Sequence, residues 1–478
     1  MKAACRKYRT CFIIPLFLFS AVIYLAVWQI GSLPLPRWMD AFFALIASVF
    51  VIEMTAFLFL FREKNGLAAA FILLTILFHF SHILLITIGF DFGSTITNVP
   101  FVRFGEDAAR QAFAVSVKFQ YANFLGFCVY DFFLSKKLEK ITAAGIRFTR
   151  LKQITYGLFF AGILAWAGYA VRVFLSTRQM GYGKLASSGT DSYIILLGRL
   201  FLSALILLIF GQTEKKKSRR KRGMACGIVL YALSMFSGQR AYSLICICIL
   251  IYIFFQSGIG KRKAGNILLF AVLAFAGAVF LNAIRMTREQ GMDFSMFLKS
   301  MISVSSSPFL LLINEFAISE NVIAKICAQA DGFHSGLQFL TSFMIVVPGI
   351  SYLVPIDFTS LSLAGKLDMW NLGGTFIGDF YFDFGEWGVV FSLFYGILLC
   401  GFFYRFQQYI AKKQYTAVSV MAPVLCEFMM SIRSTTYKIP RNTVIVMLMY
   451  FGTAMTASAV SAMVCQVEKK KAFSQVKT

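Results

Sequence analysis

Hydrophobic and polar positions along this 478-residue chain fall into long blocks, apolar runs divided mostly by short polar stretches. Runs of about 20 apolar residues suit helices crossing a hydrocarbon core of about 30 Å, whereas membrane β-barrel strands are about 10 residues long and alternate. The pattern predicts an all-α polytopic membrane protein. Twelve spans are read, at 10–30, 39–61, 67–90, 113–134, 154–175, 193–211, 223–237, 241–256, 266–284, 387–404, 417–432 and 443–464.

Two places depart from the rhythm. Residues 223–237 and 241–256 are short runs flanking Ser237-Gly238-Gln239-Arg240. One helix over both would be roughly 50 Å long, too long for the core, so two short spans are predicted, with their turn recessed below the outer surface. The second departure is a segment of about 100 residues, 285–386, between the ninth and tenth spans. Its apolar piece Leu337–Pro355 is broken by Pro348, Gly349 and Pro355. It reads as re-entrant or surface-lying, which is tolerated only where protein or a wet cavity covers the backbone. The segment ends in Gly373-Gly374-Thr375-Phe376-Ile377-Gly378-Asp379-Phe380-Tyr381-Phe382-Asp383-Phe384-Gly385-Glu386-Trp387-Gly388, where Gly, aromatic and acidic residues concentrate at the expected level of the membrane surface. The chain thus divides into spans 1–9 (1–284), an outer loop (285–386), spans 10–12 (387–464) and a basic tail (465–478).

Charge sets the orientation. Hydrophobic residues make up 58% of the chain, mean hydropathy is +0.73, charged residues only 14%, and net charge +24. With both termini cytoplasmic, inner loops hold almost two thirds of the 46 Lys and Arg, including Lys215–Lys217, Arg219–Arg222, Lys261–Lys263 and Lys469–Lys471. Outer loops carry basic and acidic residues in equal number. This is the positive-inside pattern, and it assigns the excess charge to topology and anionic lipid rather than to nucleic acid. A thirteenth span at 337–355 would place Lys412, Lys413 and the Lys469–Lys471 run outside. The basic N-terminus with its long apolar run reads as an uncleaved first span rather than a signal peptide. Of ten cysteines only Cys327 falls in an outer loop, there is no CxxC pair, and no metal-ligand cluster is expected.

Candidate chemistry gathers at the outer face. Arg285 and Arg288 share a helical face at the end of the ninth span, Arg433 follows the eleventh, and Arg240 opens the eighth. Each has a plain reading, as a cation at a helix C-terminus or a snorkelling side chain, and Glu386 has the mirror-image one at a helix N-terminus. Their convergence on one side suits a phosphorylated lipid better than four unrelated caps, because arginine's planar fork binds phosphate bidentately. His79 and His82 read as helix–helix hydrogen-bonding groups. Glu53, Lys118, Arg199 and Glu427 are intramembrane ionisable groups, and Glu53 is expected to pair with Lys118 or Arg199.

Gly373-Gly374…Gly378-Asp379-Phe380-Tyr381…Phe384-Gly385…Gly388 is similar to the GG…GE-x-Y-x-N-F-G-x-x-G signature of the Wzy-type oligosaccharide repeat-unit polymerases, relatives of the O-antigen ligases. The recessed Ser-Gly-Gln-Arg turn, the outer arginines and the late outer loop resemble that family too. Asp379 stands where glutamate is usual, and Asp383 where asparagine is common. The resemblance implies a GT-C-like bundle in a bacterial plasma membrane that transfers a glycan from undecaprenyl pyrophosphate to an incoming lipid-linked repeat unit at the outer face. It implies membrane-lipid contact, a flippase and a chain-length regulator as partners, and no cofactor. On this reading Arg240, Arg285, Arg288 and Arg433 bind the pyrophosphate, and His334 or Asp379 serves the acceptor hydroxyl. Gly238, Gly374, Tyr381, Asp383 and Glu386 then contact substrate. An O-antigen-type ligase differs only in its acceptor. A flippase or transporter is the rival of another class, although no internal repeat of the kind common in transporters is visible.

Overall fold

The computed structural model describes residues 9–34, 37–61, 66–87, 100–135, 151–180, 192–211, 217–235, 240–258, 318–329, 336–347 and 373–475, with a few single positions between 277 and 367. Among them there is no strand, and eight helical stretches are long and apolar enough to cross a membrane. The protein is therefore a polytopic helical membrane protein. In chain order the helices used below are α1 (Ile13–Ile30), α2 (Arg37–Leu60), α3 (Gly66–Thr87), α4 (Glu106–Leu134), α5 (Leu151–Met180), α6 (Ile194–Gly211), α7 (Lys217–Ser234) and α8 (Arg240–Gln256). They continue with α9 (Ile318–Gln329), α10 (Leu337–Met344), α11 (Phe376–Phe384), α12 (Gly388–Ala411), α13 (Tyr415–Met430) and α14 (Ile439–Gln475). The first six predicted spans fall on α1–α6. The span predicted at 266–284 lies outside the described residues except for three positions.

The short runs at 223–237 and 241–256 are two separate helices, as their length requires. Ser234 and Ser243 bring their hydroxyls to 2.5 Å across the pair, so the chain reverses between α7 and α8. The turn itself, 236–239, lies outside the described residues.

The bundle is organised on α4, the most buried of its spans. α4 and α12 approach closely because glycines face backbone at the crossing. A Cβ on Gly396 would lie 2.1 Å from the Asn123 carbonyl oxygen, and one on Gly126 would lie 2.1 Å from that of Leu393. Small residues at such crossings allow dispersion contacts and interhelical hydrogen bonds that lipid cannot offer. Asn123 Nδ2 donates to the Ser392 carbonyl at 3.1 Å, and Ser392 Oγ donates to the Phe119 carbonyl at 2.8 Å. Gly396→Leu should force the helices apart and cost about 1–3 kcal/mol, as overpacked cores do. The measurement is a fall in thermal stability of the detergent-purified protein, and an unchanged melting curve would contradict the crossing.

The apolar stretch Phe376–Ala411 is 36 residues long, roughly 54 Å as a single helix and too long for one span. It is a hairpin. Gly385 adopts φ +57°, a left-handed value that glycine takes without strain, and the chain turns back there. Phe376 lies 5.5 Å from Tyr395 between ring centroids, and Phe384 stacks on Phe391 at 3.8 Å. α11 therefore runs antiparallel beside the first two turns of α12. Its N-terminus sits at the level of Tyr395, about 10 Å down α12 from Gly388.

α10 is short, roughly 12 Å, and ends at Met344, so the apolar piece starting at Leu337 does not cross as a helix. It buries its polar side, Gln338, Thr341 and Ser342, and exposes Leu337, Leu340 and Phe343. That inversion is what a helix facing lipid requires.

Intramembrane ionisable groups are paired, though not as the sequence suggests. Lys118 reaches Glu386 at 2.7 Å, and Arg199 pairs with Glu427, which also accepts a 2.7 Å hydrogen bond from Asn442 Nδ2. Glu53 instead accepts a hydrogen bond from Gln120 at 3.4 Å. The expected pairing of Glu53 with Lys118 or Arg199 is absent because each cation meets a carboxylate from a later helix or turn.

Candidate functional site around helix α11

The glycine- and acid-rich stretch forms the hub of one end of the bundle. At its entry, Gly374 N–H faces the Arg433 carbonyl at 3.5 Å and Phe376 N–H donates to the Ser431 carbonyl at 2.9 Å. Gly374 has to be glycine here, since a Cβ would lie 2.5 Å from Thr435 Cγ2 and 2.8 Å from the Thr435 nitrogen. The segment thus lies directly on the turn joining α13 to α14. Thr375 ties it to α3: its Oγ1 is 2.8 Å from His79 Nε2, while His79 Nδ1 donates to the Thr75 carbonyl at 2.8 Å. A carbonyl only accepts, so Nδ1 carries the proton, and in the neutral ring Nε2 accepts from the threonine hydroxyl. His79 therefore has the inter-element hydrogen-bonding role read from its position.

Asp379 and Asp383, one helical turn apart, are both 2% exposed and join three elements. Asp379 Oδ2 accepts hydrogen bonds from the Thr436 backbone N–H and from Thr436 Oγ1, the latter at 2.7 Å. Its Oδ1 accepts from Gln338 Nε2 at 3.2 Å. Asp383 receives the first amides of α10, Gln338 N–H on Oδ1 at 3.1 Å and Phe339 N–H on Oδ2 at 2.7 Å. It is an N-terminal cap supplied from another helix, and its charge is favourable at that end of the α10 dipole. The two carboxylates, expected in a loop at the membrane surface, instead sit on a buried helix and hold α10 and the 431–438 turn together. Asp383→Ala should cost about 1 kcal/mol, the usual loss for a removed cap, and should speed hydrogen exchange at the amides of 338 and 339. Unchanged exchange there would contradict the cap.

Tyr381 and Glu386 face α4. Tyr381 Oη accepts from Gln111 Nε2 at 2.8 Å and its ring packs edge-on against Phe119, while Glu386 is held by Lys118. α9 closes the back of the hub. A Cβ on Gly378 would lie 3.3 Å from Val322 and Ile326 side-chain atoms. Glu320, near the start of α9, accepts a 3.1 Å hydrogen bond from Ser116 Oγ. Burial pushes its carboxyl well above the usual carboxylate range, with the Ser116 hydrogen bond opposing.

Arg433 stands where the hub meets a cavity. Its guanidinium carbon lies 6.0 Å from the centre of the Phe78 ring. Both residues line an apolar cavity of about 370 Å³ between α3 and α8, roofed by Met429 and Met430 of α13. Among the described residues lining it, Arg433 is the one that carries charge. The sequence placed Arg433 at an outer boundary, and the cavity was not read from it. One signal was present: small or flexible side chains recur at helical spacing on α3 (Gly66, Ala70) and α8 (Ala241, Cys248).

Arg240 is the first residue of α8, with its side chain outside the described part. Gly238, Arg285, Arg288 and His334 lie outside the described residues. The structure therefore brings together Gly374, Asp379, Asp383 and Arg433, with Tyr381 and Glu386 on the α4 side of the same hairpin. Gln338, Thr436, Gln111 and Ser431 are the partners that sequence reasoning missed; as isolated polar residues they gave no signal. Among the described residues no group of three His, Cys, Asp or Glu could hold a metal ion. No protein-family model matches the chain, and no curated protein or solved structure matches it.

Proposed function

We propose that this protein polymerises lipid-linked oligosaccharides, transferring a glycan from undecaprenyl pyrophosphate to an incoming lipid-linked repeat unit at the outer face of a bacterial plasma membrane. The observation that carries the reading is Arg433, a cation lining an otherwise apolar cavity, on a turn that Asp379 holds through Thr436. An anionic head joined to a long hydrocarbon tail matches that pairing of charge and grease. In this reading the bundle has about twelve spans in a GT-C-like arrangement, both termini are cytoplasmic, and the outer loop between the ninth and tenth spans covers the site. Arg240, Arg285 and Arg288 join Arg433 around the pyrophosphate.

The acceptor hydroxyl oxygen attacks the donor's anomeric carbon as that carbon's bond to the pyrophosphate oxygen breaks. The leaving group takes the electron pair, and the hydroxyl proton passes to a base. Arginines stabilise the charge that grows on the pyrophosphate, where fixed donors are most effective. His334 is the better candidate for the base, because both oxygens of Asp379 already accept hydrogen bonds from Thr436 and Gln338. Asp379 and Asp383 act as positioning residues, while Gly238, Gly374, Tyr381 and Glu386 shape the glycan-binding surface.

Deleting the gene tests the reading. Loss of a polymerase leaves single repeat units on the cell surface, whereas loss of a flippase leaves none. Loss of an O-antigen-type ligase leaves polymer on its lipid carrier. Absence of all surface glycan would contradict the polymerase assignment.

A further inference from the structure

The turn that carries Arg433 is gripped at its base as well as at Thr436. Glu427, in the last turn of α13, and Asn442, in the first turn of α14, stand on either side of it and are both buried. Asn442 Nδ2 donates to Glu427 Oε2 at 2.7 Å, while Glu427 Oε1 pairs with the Arg199 guanidinium of α6. Arg199 also reaches α8: its guanidinium carbon lies 5.4 Å from the centre of the Tyr242 ring, two residues after Arg240. Its own backbone is fixed. Arg199 N–H donates to the Leu196 carbonyl at 3.1 Å and its carbonyl accepts from Leu202 N–H at 3.2 Å, the tighter spacing of a 3₁₀ turn. Gly198, just before it, lies against the α5 backbone, where a Cβ would be 3.2 Å from Trp166 Cα. One turn on, Ser203 Oγ donates to the Ser419 carbonyl at 2.7 Å, so α6 and α13 are joined at two levels.

We propose that Arg199 is a positioning residue for the pyrophosphate site: paired with Glu427 on one side and packed on Tyr242 on the other, it sets the Arg433 turn against the start of α8, where Arg240 stands. The inference rests on the reading that Arg433 holds the lipid's pyrophosphate. Holding helices together does not require charge. Apolar side chains of the same volume often match a buried ion pair in stability, so the geometry that the pair restricts is the better reason for one here. That restriction falls on Glu427, which meets Arg199 with one oxygen and Asn442 with the other. Both ends of the Arg433 turn are thereby registered to one guanidinium. Cys426, beside Glu427, meets Cys246 of α8 at 3.7 Å between sulfurs, so α8 and α13 touch directly at this level. Bidentate bonds from arginine to phosphate are geometrically exacting, and a pyrophosphate gripped from both helices is sensitive to the spacing between them.

The test is binding of farnesyl pyrophosphate to the full-length protein in nanodiscs, with farnesol as the uncharged comparison and melting temperature as the control for folding. Arg199→Gln should weaken farnesyl pyrophosphate binding about tenfold in the wild-type background. In an Arg433→Ala background, where that turn has no guanidinium left to position, the same change should cost less than about twofold. Arg199→Lys, which keeps the charge on Glu427 but has no planar face for Tyr242, should recover part of the loss. Equal losses in the two backgrounds, or no loss in either, overturn the positioning role and leave the pyrophosphate reading in place. Farnesyl pyrophosphate bound no more tightly than farnesol, or as tightly by Arg433→Ala as by the wild type, defeats the pyrophosphate reading and the positioning role with it. If Arg199→Gln does not fold, Tyr242→Leu, which removes the ring that Arg199 packs on, is read through the same cycle with the same outcomes.

Discussion

Replacing Arg433 with alanine is expected to lower glycan transfer by about 10²–10³-fold, the usual cost of removing one preorganised donor from developing negative charge. The fold should survive, because the backbone contacts of this residue remain in the variant: its carbonyl faces Gly374 N–H and its own N–H donates to the Met430 carbonyl at 2.9 Å. Arg433→Lys should recover only part of the loss. Lysine keeps the charge but not the planar fork that grips two phosphate oxygens at once. Turnover of purified protein, with melting temperature as the control, reads both results. Full activity in Arg433→Ala would remove this residue from the site.

Asp379→Ala should be the most destabilising change in the hub. It removes the acceptor of hydrogen bonds from the half-buried Thr436 N–H and hydroxyl and from the Gln338 amide, and each bond lost costs about 1 kcal/mol. Roughly 3 kcal/mol in total is enough to loosen the 431–438 turn and carry Arg433 away from the cavity. Transfer should fall with it. A positioning role and a general-base role separate in the partner residue. Thr436→Val removes one hydrogen bond to Asp379 and leaves the carboxylate in place; with a positioning role it should lower turnover in the same direction without altering the pH profile. A base at Asp379 would instead make Asp379→Asn remove the acidic limb of that profile, and Thr436→Val, which takes a hydrogen bond from the same carboxylate, would shift that limb.

Some of this was legible in the sequence and some was not, for physical reasons. Long apolar runs declare spans because the bilayer imposes their length, and the 223–237 and 241–256 runs resolve into two helices because one would not fit. The α11–α12 hairpin was hidden within its own apolarity. Phe376, Phe380 and Phe384 recur every four residues, a helical stripe, but hydropathy cannot distinguish a helix that crosses from one that turns back at a glycine. The motif drew attention for its carboxylates, yet their partners, Thr436, Gln338 and two amides of α10, are brought together only by tertiary structure. The same holds for Lys118 and Arg199, whose counter-charges come from distant sequence. The cavity escaped because a groove is defined by atoms that are missing between two helices, and periodicity records only those that are present.

The most direct test is reconstitution of the purified protein alone in liposomes, supplied on the outer face with one defined undecaprenyl-pyrophosphate-linked repeat unit. The account predicts a ladder of glycans that lengthens by whole repeat units and releases undecaprenyl pyrophosphate at each step, and that fades in Arg433→Ala. Movement of the intact lipid across the bilayer with no new glycosidic bond would contradict it.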